Sequence, residues 1–289
     1  MKKRKMTGFD IAIILLLAFY GLLILYPFYN SFLVSLVPQN TYTKTPFMLW
    51  PSEIDLKSYQ FIFLSKKFWS GYRVTSIVTV VGVLYNMFLT VITAYALSKN
   101  HFKGKGLVLN FIIFTMYFSG GLIPYYMLIN SLDLTNKIAV MILPTGINTF
   151  FMLIMRNFFS TIPKSLVESA KIDGANEIQV LIKIILPVSK PSLATIGLFY
   201  AVDRWNEWFN AMLFIRDGSK HTLQLVLRRL ISQVQSAESG NIPDIVKDGL
   251  FQDGVKMAGV FVTILPIMLL YPLLQKYFMK GIMIGAIKG

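Results

Sequence analysis

The chain of 289 residues is 55% hydrophobic and only 15% charged, with a mean hydropathy of +0.59, whereas soluble domains carry about 25% charged residues. This composition indicates an integral membrane protein and excludes an ordinary soluble domain. The net charge of +14 does not indicate nucleic-acid binding, because the basic residues lie at the ends of apolar segments, where membrane topology accounts for them.

Six apolar windows predict an all-α, polytopic membrane protein with six transmembrane helices, since one span needs about 20 apolar residues. The chain begins with Lys2-Lys3-Arg4-Lys5 and a long apolar run. We interpret this run as a retained first span, because no small-residue cleavage site follows a short apolar core. The predicted spans cover residues 11–35, 74–98, 107–131, 138–155, 192–215 and 257–277.

The placement of lysine and arginine predicts that both termini lie in the cytoplasm. Basic residues concentrate in the N-terminal tail, residues 1–10, and in the compact 99–105 loop, and such clusters favour the inner side of a membrane. The segment 156–191 and the C-terminal tail, residues 280–289, then also lie inside. The segments 38–72 and 216–255 lie outside, and the second of them is expected to hold a short helix.

The segment from 156 to 191, hereafter the 156–191 loop, is a long charged insert between membrane-length segments. Pro163 can open a helix within its first turn, and Asp173-Gly174 ends that helix, because glycine tolerates a positive φ. A second helix is predicted to start near Asn176 and to end at Pro187. Its apolar face is predicted from the helical spacing of Ala175, Ile178, Leu181, Ile182 and Ile185.

Six residues of the 156–191 loop stand at the spacing of the EAA motif of binding-protein-dependent ABC importer permeases. They are Glu168, Ala170, Gly174, Ile184, Leu186 and Pro187. Ser169 stands where the motif has its first alanine. Asp173-Gly174-Ala175 and Pro191 are similar to the carbohydrate branch of that family. Taken alone, the residues leave open an ordinary amphipathic hairpin at the membrane face.

The resemblance implies a type I ABC importer permease fold in which the 156–191 loop is cytoplasmic and residues 11–279 form the permease domain. In that family the loop holds a coupling helix that docks in a groove of the cytoplasmic ATPase, and the motif glutamate, Glu168 here, helps to hold it. The coupling residues implied are Glu168, Ala170, Asp173, Gly174, Ala175, Ile184, Leu186 and Pro187.

Further stretches resemble carbohydrate permeases of the MalG type. Residues 118–124 and 132–136 are similar to the oligosaccharide-permease subgroup called LplC or YtcP, and the ending 280–289 is similar to the MalG-type tail. The resemblance implies a subunit of a carbohydrate importer, for an oligosaccharide, in the cell membrane. It also implies a second, non-identical permease (MalF/LplB-like), a cytoplasmic ATPase dimer (MalK/MsmX-like) and an extracellular solute-binding protein, which is a lipoprotein in a Gram-positive cell.

Residues 203–208, with the sequence DRWNEW, interrupt the predicted fifth span. A charge near the bilayer centre costs about 2.5–3.5 kcal/mol, so we expect these side chains to avoid lipid, with Arg204 pairing with Glu207 at i, i+3. One interpretation is a charge cluster that fixes helix packing or a subunit interface. The other, supported by a resemblance to the Trp-Asn-Asp/Glu signature of sugar permeases, is a substrate path lined by Trp205, Asn206, Glu207 and Trp208.

The alternative function is a proton-coupled secondary transporter that uses Asp203 and Glu207 as proton carriers, although it gives no reason for the EAA spacing. ATP hydrolysis by this chain is excluded, because no G-x-x-x-x-G-K-[ST] motif occurs and the nearest sequence, residues 249–256, lacks lysine directly after its second glycine. ATP and Mg²⁺ are therefore expected on a partner ATPase, with no cofactor in this chain.

No catalytic residue and no metal site are predicted. The chain contains no cysteine, which excludes disulfides, thiolate catalysis and cysteine metal sites. Its two histidines, His101 and His221, fall in loops that we place on opposite sides of the membrane, so they cannot share a metal. No nucleophile with a base and an orienting group can be recognised.

Overall fold

The computed structural model describes residues 7–99, 103–238 and 250–286. Within these ranges the chain forms helices and connecting segments and contains no strand, which confirms the predicted all-α class. The helices are α1 (Gly8–Val34), α2 (Gln39–Lys44), α3 (Lys57–Leu64), α4 (Lys66–Ser98), α5 (Lys105–Tyr117), α6 (Leu122–Ser131), α7 (Thr149–Thr161), α8 (Lys164–Ile172), α9 (Glu177–Val188), α10 (Lys190–Trp205), α11 (Phe209–Phe214), α12 (Leu223–Glu238) and α13 (Gln252–Ala286).

The chain divides into two compact units. The first comprises residues 1–66 and 227–264 and has a small buried cluster. This cluster consists of Leu33, Val34, Val37 and Met48. The second unit comprises residues 67–226 and 265–289 and contains both segments that the sequence singles out for function.

Three helical segments are long and apolar enough to cross a membrane, namely α1, α4 and the Gln252–Leu269 part of α13. Two bent pairs also qualify when each is taken together. The helices α5 and α6 are bent by 112°, and α9 is bent by 84° from Lys190–Phe214. The described residues thus provide up to five helical spans, and the predicted total of six stays a prediction.

Helix α1 is apolar on all sides and almost fully exposed. It begins with a capping box, in which the Asp10 N–H donates to Thr7 Oγ1 (3.3 Å) and the Thr7 N–H donates to Asp10 Oδ2 (2.8 Å). Of its 27 residues, only Leu33 and Val34 are buried. Helices that are apolar all round are normally covered by lipid or protein, so the surface of α1 is available to one of these.

Two predicted spans are each divided into two helices. The span predicted at 107–131 breaks between α5 and α6, where Gly121 has a φ of +89°, a conformation that glycine adopts without steric cost. The span predicted at 192–215 breaks between α10 and α11, at residues 206–208. Both breaks free backbone groups, which lipid cannot satisfy.

The span predicted at 138–155 is not a continuous helix. The structure has a 3-10 turn at Ile138–Met141, an irregular stretch from 142 to 148, and only then α7. Pro144 lies in this stretch and has no N–H to donate to a helix. Asn148 caps α7 by accepting a hydrogen bond from the Phe151 N–H (3.2 Å). The helical part of this segment therefore begins at Thr149, eleven residues later than predicted.

The two ends of the long polar segment 216–255 are described, and its predicted helix is present as α12. The leucines that indicated this helix are buried; they are Leu223, Leu225, Leu227 and Leu230. Helix α13 continues to Ala286, so the described part of the predicted 280–289 tail is helical. Residues 1–6, which hold the predicted basic cluster, and residues 287–289 lie outside the described ranges.

Candidate functional site

Helix α8, the first helix of the 156–191 loop, ends in a Schellman motif. The Ala175 N–H donates to Ala170 O (2.9 Å) and the Gly174 N–H donates to Lys171 O (3.0 Å), while Gly174 has a φ of +84°. These two bonds satisfy the last carbonyls of the helix and require a residue that tolerates the left-handed region. The structure therefore contains the break predicted at Asp173-Gly174.

Helix α9 begins directly after Asn176, close to the predicted start. Asn176 and Gln179 form a capping box, in which the N–H of each residue donates to the side-chain oxygen of the other at 2.9 Å. The predicted end of α9 at Pro187 is wrong by one residue, since the helix ends at Val188. Pro187 lies in the first turn of the last helical piece, where a missing N–H costs little.

A π-helical stretch, Leu181–Ile185, changes the face that α9 buries. The Leu186 N–H donates to Leu181 O, five residues back, so each turn here holds more residues than an α-helical turn. The buried residues of α9 are Val180 and Ile185, which this wider spacing brings to one side. The predicted apolar face is wrong at Ile178 and Ile182, which are 68% and 57% exposed.

The 156–191 loop thus has one packed face and one exposed face. The buried apolar residues of α8 and α9 are Ala170, Val180 and Ile185, and they belong to one apolar cluster with Tyr95 and Leu97 of α4. On the exposed face, Ile172 is 86% exposed, and such an apolar side chain among charges is typical of a protein contact. Of the predicted coupling residues, Glu168, Asp173, Gly174 and Pro187 are exposed, Ala175, Ile184 and Leu186 are half-buried, and Ala170 is buried.

Glu177, the first residue of α9, is the centre of an ion-pair network. Its carboxylate lies 2.6 Å from Lys171 Nζ and 2.9 Å from Lys99 Nζ, and it accepts a hydrogen bond from the Tyr95 hydroxyl at 2.7 Å. The hydrogen bond from Lys171, followed by those from Lys99 and Tyr95, lowers the pKa of Glu177 to about 2. The carboxylate therefore stays ionised at neutral pH, and the network joins α8 and α9 to the end of α4.

The charged segment 203–208 spans the break between α10 and α11. Arg204 donates to Asp203 Oδ2 at 2.7 Å. The Glu207 carboxylate instead accepts from the backbone N–H of Asn210 (2.9 Å) and from its side-chain amide (3.0 Å). The predicted Arg204–Glu207 pair is therefore wrong, because α10 ends at Trp205 and each side chain has another partner. Both carboxylates of the proton-carrier alternative have hydrogen-bond partners.

A buried polar cluster holds the irregular stretch 142–148. Arg204, only 4% exposed, donates to Met141 O at 2.8 Å and to Thr145 Oγ1. Asn86 of α4 donates to two successive carbonyls of the stretch at 2.6 and 2.8 Å. Because lipid offers no hydrogen bonds, protein groups must satisfy a broken helix at membrane depth. These two side chains supply donors to the break.

Helices α4 and α10 also meet each other beside this stretch. A Cβ on Gly82 would lie 2.8 Å from Arg204 Cδ, so glycine is needed for the arginine to pass α4. The Tyr200 hydroxyl lies 2.7 Å from Thr90 Oγ1 and accepts a hydrogen bond from the Asn148 N–H at 3.0 Å. The end of α10, the middle of α4 and the stretch before α7 are therefore fixed together.

A cavity of about 490 Å³ lies beside α10 in the same unit, within the usual range of about 300–1,000 Å³ for ligand sites. Its wall is mostly apolar and includes the aromatic rings of Phe151 and Phe199. Polar groups come from Thr79, Asp203 and Asn206. The Asp203 side chain is 52% exposed, so its carboxylate is accessible from the cavity even though it is paired with Arg204.

Of the four predicted path residues, two line the cavity and two do not. Trp205 and Asn206 line the cavity. The Trp205 side chain, however, is mostly covered, because it packs edge-on against Tyr72 with ring centroids 5.6 Å apart. Glu207 and Trp208 are not among the lining residues of the cavity. Glu207 accepts hydrogen bonds from Asn210, and Trp208 packs against the apolar cluster that contains Met141.

Residues 86–284 match the family described as the binding-protein-dependent transport system inner membrane component. The matched range holds the whole 156–191 loop, the polar cluster and most of the cavity wall. The chain belongs to this family. The permease is thus a multi-pass protein of the cell membrane and a transport subunit rather than an enzyme, and the family implies an ATPase and a solute-binding protein as partners.

The permease is similar over nearly its whole length to two proteins of Bacillus subtilis (strain 168). It is 40% identical over 283 residues to the protein LplC, with 97% of the permease and 95% of LplC covered. It is 37% identical over 282 residues to the polygalacturonan/rhamnogalacturonan transport system permease protein YtcP, with 97% and 98% covered. These similarities confirm the predicted family.

A solved structure supports the fold of the permease. One chain in the crystal structure of a bacterial ABC transporter involved in the import of the acidic polysaccharide alginate matches it with a TM-score of 0.87. The two chains are 32% identical, and the match covers 96% of the permease and 100% of that chain. The all-α membrane permease fold is therefore confirmed.

The sequence contains little signal for the polar contacts of the permease. Glu177 meets Tyr95 across 82 positions, and Asn86 reaches the 142–148 stretch from 59 positions away. One local signal existed, because an acidic residue directly after an Asn cap favours a helix start. That signal accounts for the residue type at Glu177 but does not identify its partners.

Proposed function

We propose that the permease is one of two non-identical membrane subunits of an ATP-driven importer for an oligosaccharide. The carbohydrate class is supported by the names of similar proteins, which include polygalacturonan/rhamnogalacturonan, arabinooligosaccharide and alginate systems. In this proposal both termini and the 156–191 loop lie on the cytoplasmic side, in line with the basic 99–105 loop.

The observation that carries the coupling role is the two-sided 156–191 loop. Its inner face is buried through Ala170, Val180 and Ile185, which belong to one apolar cluster with residues of α4, α7 and α10. Its outer face presents Glu168, Asp173 and Ile172. The side chain of Ile172 is 86% exposed, although it is apolar. A short helix with an anchored inner face and a charged, partly apolar outer face is suited to dock in a groove of a partner protein. We assign that partner as the ATPase.

The surface of α1 supports a second permease subunit. This helix buries only Leu33 and Val34, at its end, and exposes rings such as Phe9, Phe19 and Phe28 over its length. Lipid covers part of such a helix. Packing against a second membrane subunit accounts for the rest, since a single chain with up to five or six spans leaves its first helix almost uncovered.

The substrate path is assigned to the cavity beside α10. Asp203 and Asn206 provide a carboxylate and an amide that hydrogen-bond hydroxyl groups, next to aromatic rings on the same wall. Aromatic faces and a few polar groups are what a pocket needs to hold a polar ligand in one orientation. Glu207, which binds Asn210, and Trp208, which packs against the cluster around Met141, are assigned a packing role.

The path assignment predicts that Asn206→Ala slows transport without affecting the ATPase partner. Loss of one hydrogen bond to the sugar corresponds to about 1 kcal/mol of binding, or roughly a fivefold lower uptake rate at limiting sugar concentration. The resting ATPase rate is expected to stay unchanged. Uptake of labelled oligosaccharide into vesicles measures the effect, with Asn40→Ala, an exposed asparagine of α2, as the matched control. Equal uptake by both variants would remove Asn206 from the path.

The proposed function is tested by purification and reconstitution of the transporter. The tagged permease is extracted from its native membrane, and we expect an ATPase with a Walker motif and a second permease to accompany it. In vesicles with the binding protein, the complex should take up oligosaccharides of galacturonate, alginate or arabinose only with ATP, and a collapsed proton gradient should not matter. Recovery of the chain alone, or uptake that follows the proton gradient, contradicts the proposal.

A further inference from the structure

The network around Glu177 connects three elements at the packed face of the 156–191 loop. Lys99 and Tyr95 stand at the end of α4, Lys171 lies in α8, and Glu177 opens α9. The Lys99 ammonium also lies 4.2 Å from the centroid of the Tyr95 ring, an arrangement that favours the cation further. One carboxylate thereby fixes the position of α8 and α9 relative to the last turn of α4.

We propose that Glu177 is a positioning residue that transmits movement of the 156–191 loop to α4 during transport. The proposal rests on the proposed coupling role of that loop and assigns a residue outside the EAA spacing to the same task. Glu177 contacts Tyr95 and Lys99 at the end of α4, whereas Glu168 is exposed on α8. The two glutamates therefore act in series: Glu168 contacts the partner ATPase, and Glu177 contacts α4.

Helix α4 is suited to carry this movement toward the proposed path. It is a single helix of 33 residues, and Asn86 lies nine residues before Tyr95, or about 14 Å along the axis. Asn86 holds the carbonyls of the 142–148 stretch, and Gly82 contacts Arg204 beside the cavity. A displacement at the Tyr95 end of α4 therefore reaches the groups that fix Asp203 and the break before α7.

Stability alone does not explain the network. The Glu177 side chain is 53% exposed, and the side chains of Lys171 and Lys99 are 49% and 29% exposed. Ion pairs in contact with water contribute little to stability, typically about 0–1 kcal/mol. The loop is also held by apolar packing, because Ala170, Val180 and Ile185 are buried in one cluster with Tyr95 and Leu97 of α4. What the charges add is a fixed direction and register of the loop relative to α4, which is what transmission of movement requires.

The test uses the complete transporter in vesicles and measures oligosaccharide taken up per ATP hydrolysed. Glu177→Lys is expected to lower this ratio roughly 10-fold, within the usual range of coupling between sites, and Glu177→Gln is expected to lower it less. The exchange Lys99→Glu with Glu177→Lys restores an opposite-charge pair between α4 and α9 and is expected to recover part of the ratio, because Lys171 then still faces a like charge. The control is Lys137→Gln, which breaks the exposed Lys137–Asp133 pair of 2.5 Å.

The outcomes separate this inference from the proposed function. Co-purification of the ATPase and the thermal unfolding midpoint are expected to stay unchanged in Glu177→Lys, because the outer face and the apolar contacts are intact. A normal ratio in this variant, no recovery in the charge exchange, or loss of the ATPase from the complex each overturns the transmission role. If the unsubstituted complex shows no ATP-driven uptake, the proposed function itself fails and this inference fails with it.

Discussion

Replacing Glu168 by lysine is expected to abolish ATP-driven uptake while leaving the permease folded in the membrane. Glu168 is exposed on the outer face of α8, and the opposite side of that helix is buried through Ala170 in an apolar cluster. Loss of one partner of a desolvated charge pair at an interface costs about 2–5 kcal/mol, or roughly 30- to 4,000-fold in affinity. A reversed charge adds repulsion, so we expect uptake and stimulated ATP hydrolysis near background.

The measurement is made on the detergent-purified complex and on vesicles. Membrane insertion, yield and the unfolding midpoint of Glu168→Lys should equal those of the unsubstituted chain, while the co-purified ATPase should fall sharply. Glu53→Lys makes the same charge change at an exposed position outside the 156–191 loop and should retain the ATPase. Normal coupled turnover in Glu168→Lys would contradict the assignment of the loop as the ATPase contact.

The helix ends of the 156–191 loop were predictable because their causes are local. The hydrogen bonds that end α8 join residues at most five positions apart, and a positive φ at Gly174 follows from the chemistry of glycine. The start of α9 after Asn176 depends on the hydrogen bond from the Gln179 N–H to the Asn176 side chain, which joins residues three positions apart. The EAA spacing placed the same residues in their family, so helix ends and family followed from short-range patterns.

The buried face of α9 was not predictable by the same reasoning. A helical period of 3.6 residues placed Ile178 and Ile185 on the apolar face, but the π-helical stretch brings Val180 to the buried side with Ile185 and leaves Ile178 exposed. Pro187 follows this stretch and cannot donate to the carbonyl four residues back, which removes one constraint on α-helical spacing. The cluster in which α9 is buried includes Tyr95 and Leu97, about 90 residues away in the chain, so a periodicity within α9 does not contain this information.

The structure of the charged segment 203–208 was likewise predictable only in part. The cost of charge in lipid predicted that these side chains avoid lipid, and Arg204 is indeed buried. The helical-face argument then failed, because it assumed that α10 continues beyond Trp205. The partners of Arg204 are 63 and 59 positions away, at Met141 and Thr145. They follow from how the 142–148 break packs, which a pattern within one segment does not contain.

The two functional regions of the permease share α4. At its end, α4 contacts the 156–191 loop through Tyr95 and Leu97. In its middle it holds the 142–148 stretch through Asn86 and accommodates Arg204 beside Gly82. A helix without internal proline is stiff over this length, so a docking event at the loop and the geometry of the cavity wall depend on one element. Substitutions at Arg204 therefore test the part of this connection at which α4 meets the 142–148 stretch.

Replacing Arg204 by methionine is expected to destabilise the permease by about 3–5 kcal/mol, the usual cost of removing one partner from a buried charged network. Methionine keeps the aliphatic stem that passes Gly82. It removes the donors to Met141 O and Thr145 Oγ1, which then lie in a dry environment without these bonds. The Asp203 carboxylate also loses its partner at 2.7 Å. Thermal unfolding in detergent should show a clearly lower midpoint, together with a lower yield from the membrane.

Two comparison variants separate loss of the guanidinium from loss of charge in general. Arg204→Lys keeps the charge but has one ammonium in place of a planar group with several donors, so its midpoint should lie between those of Arg204→Met and the unsubstituted chain. Arg73→Met removes an exposed arginine of the same unit and is expected to change stability by no more than about 0.5 kcal/mol. Equal midpoints for Arg204→Met and Arg73→Met would mean that the 142–148 stretch is held without Arg204, because the carbonyl contacts of Asn86 would then be sufficient for the break.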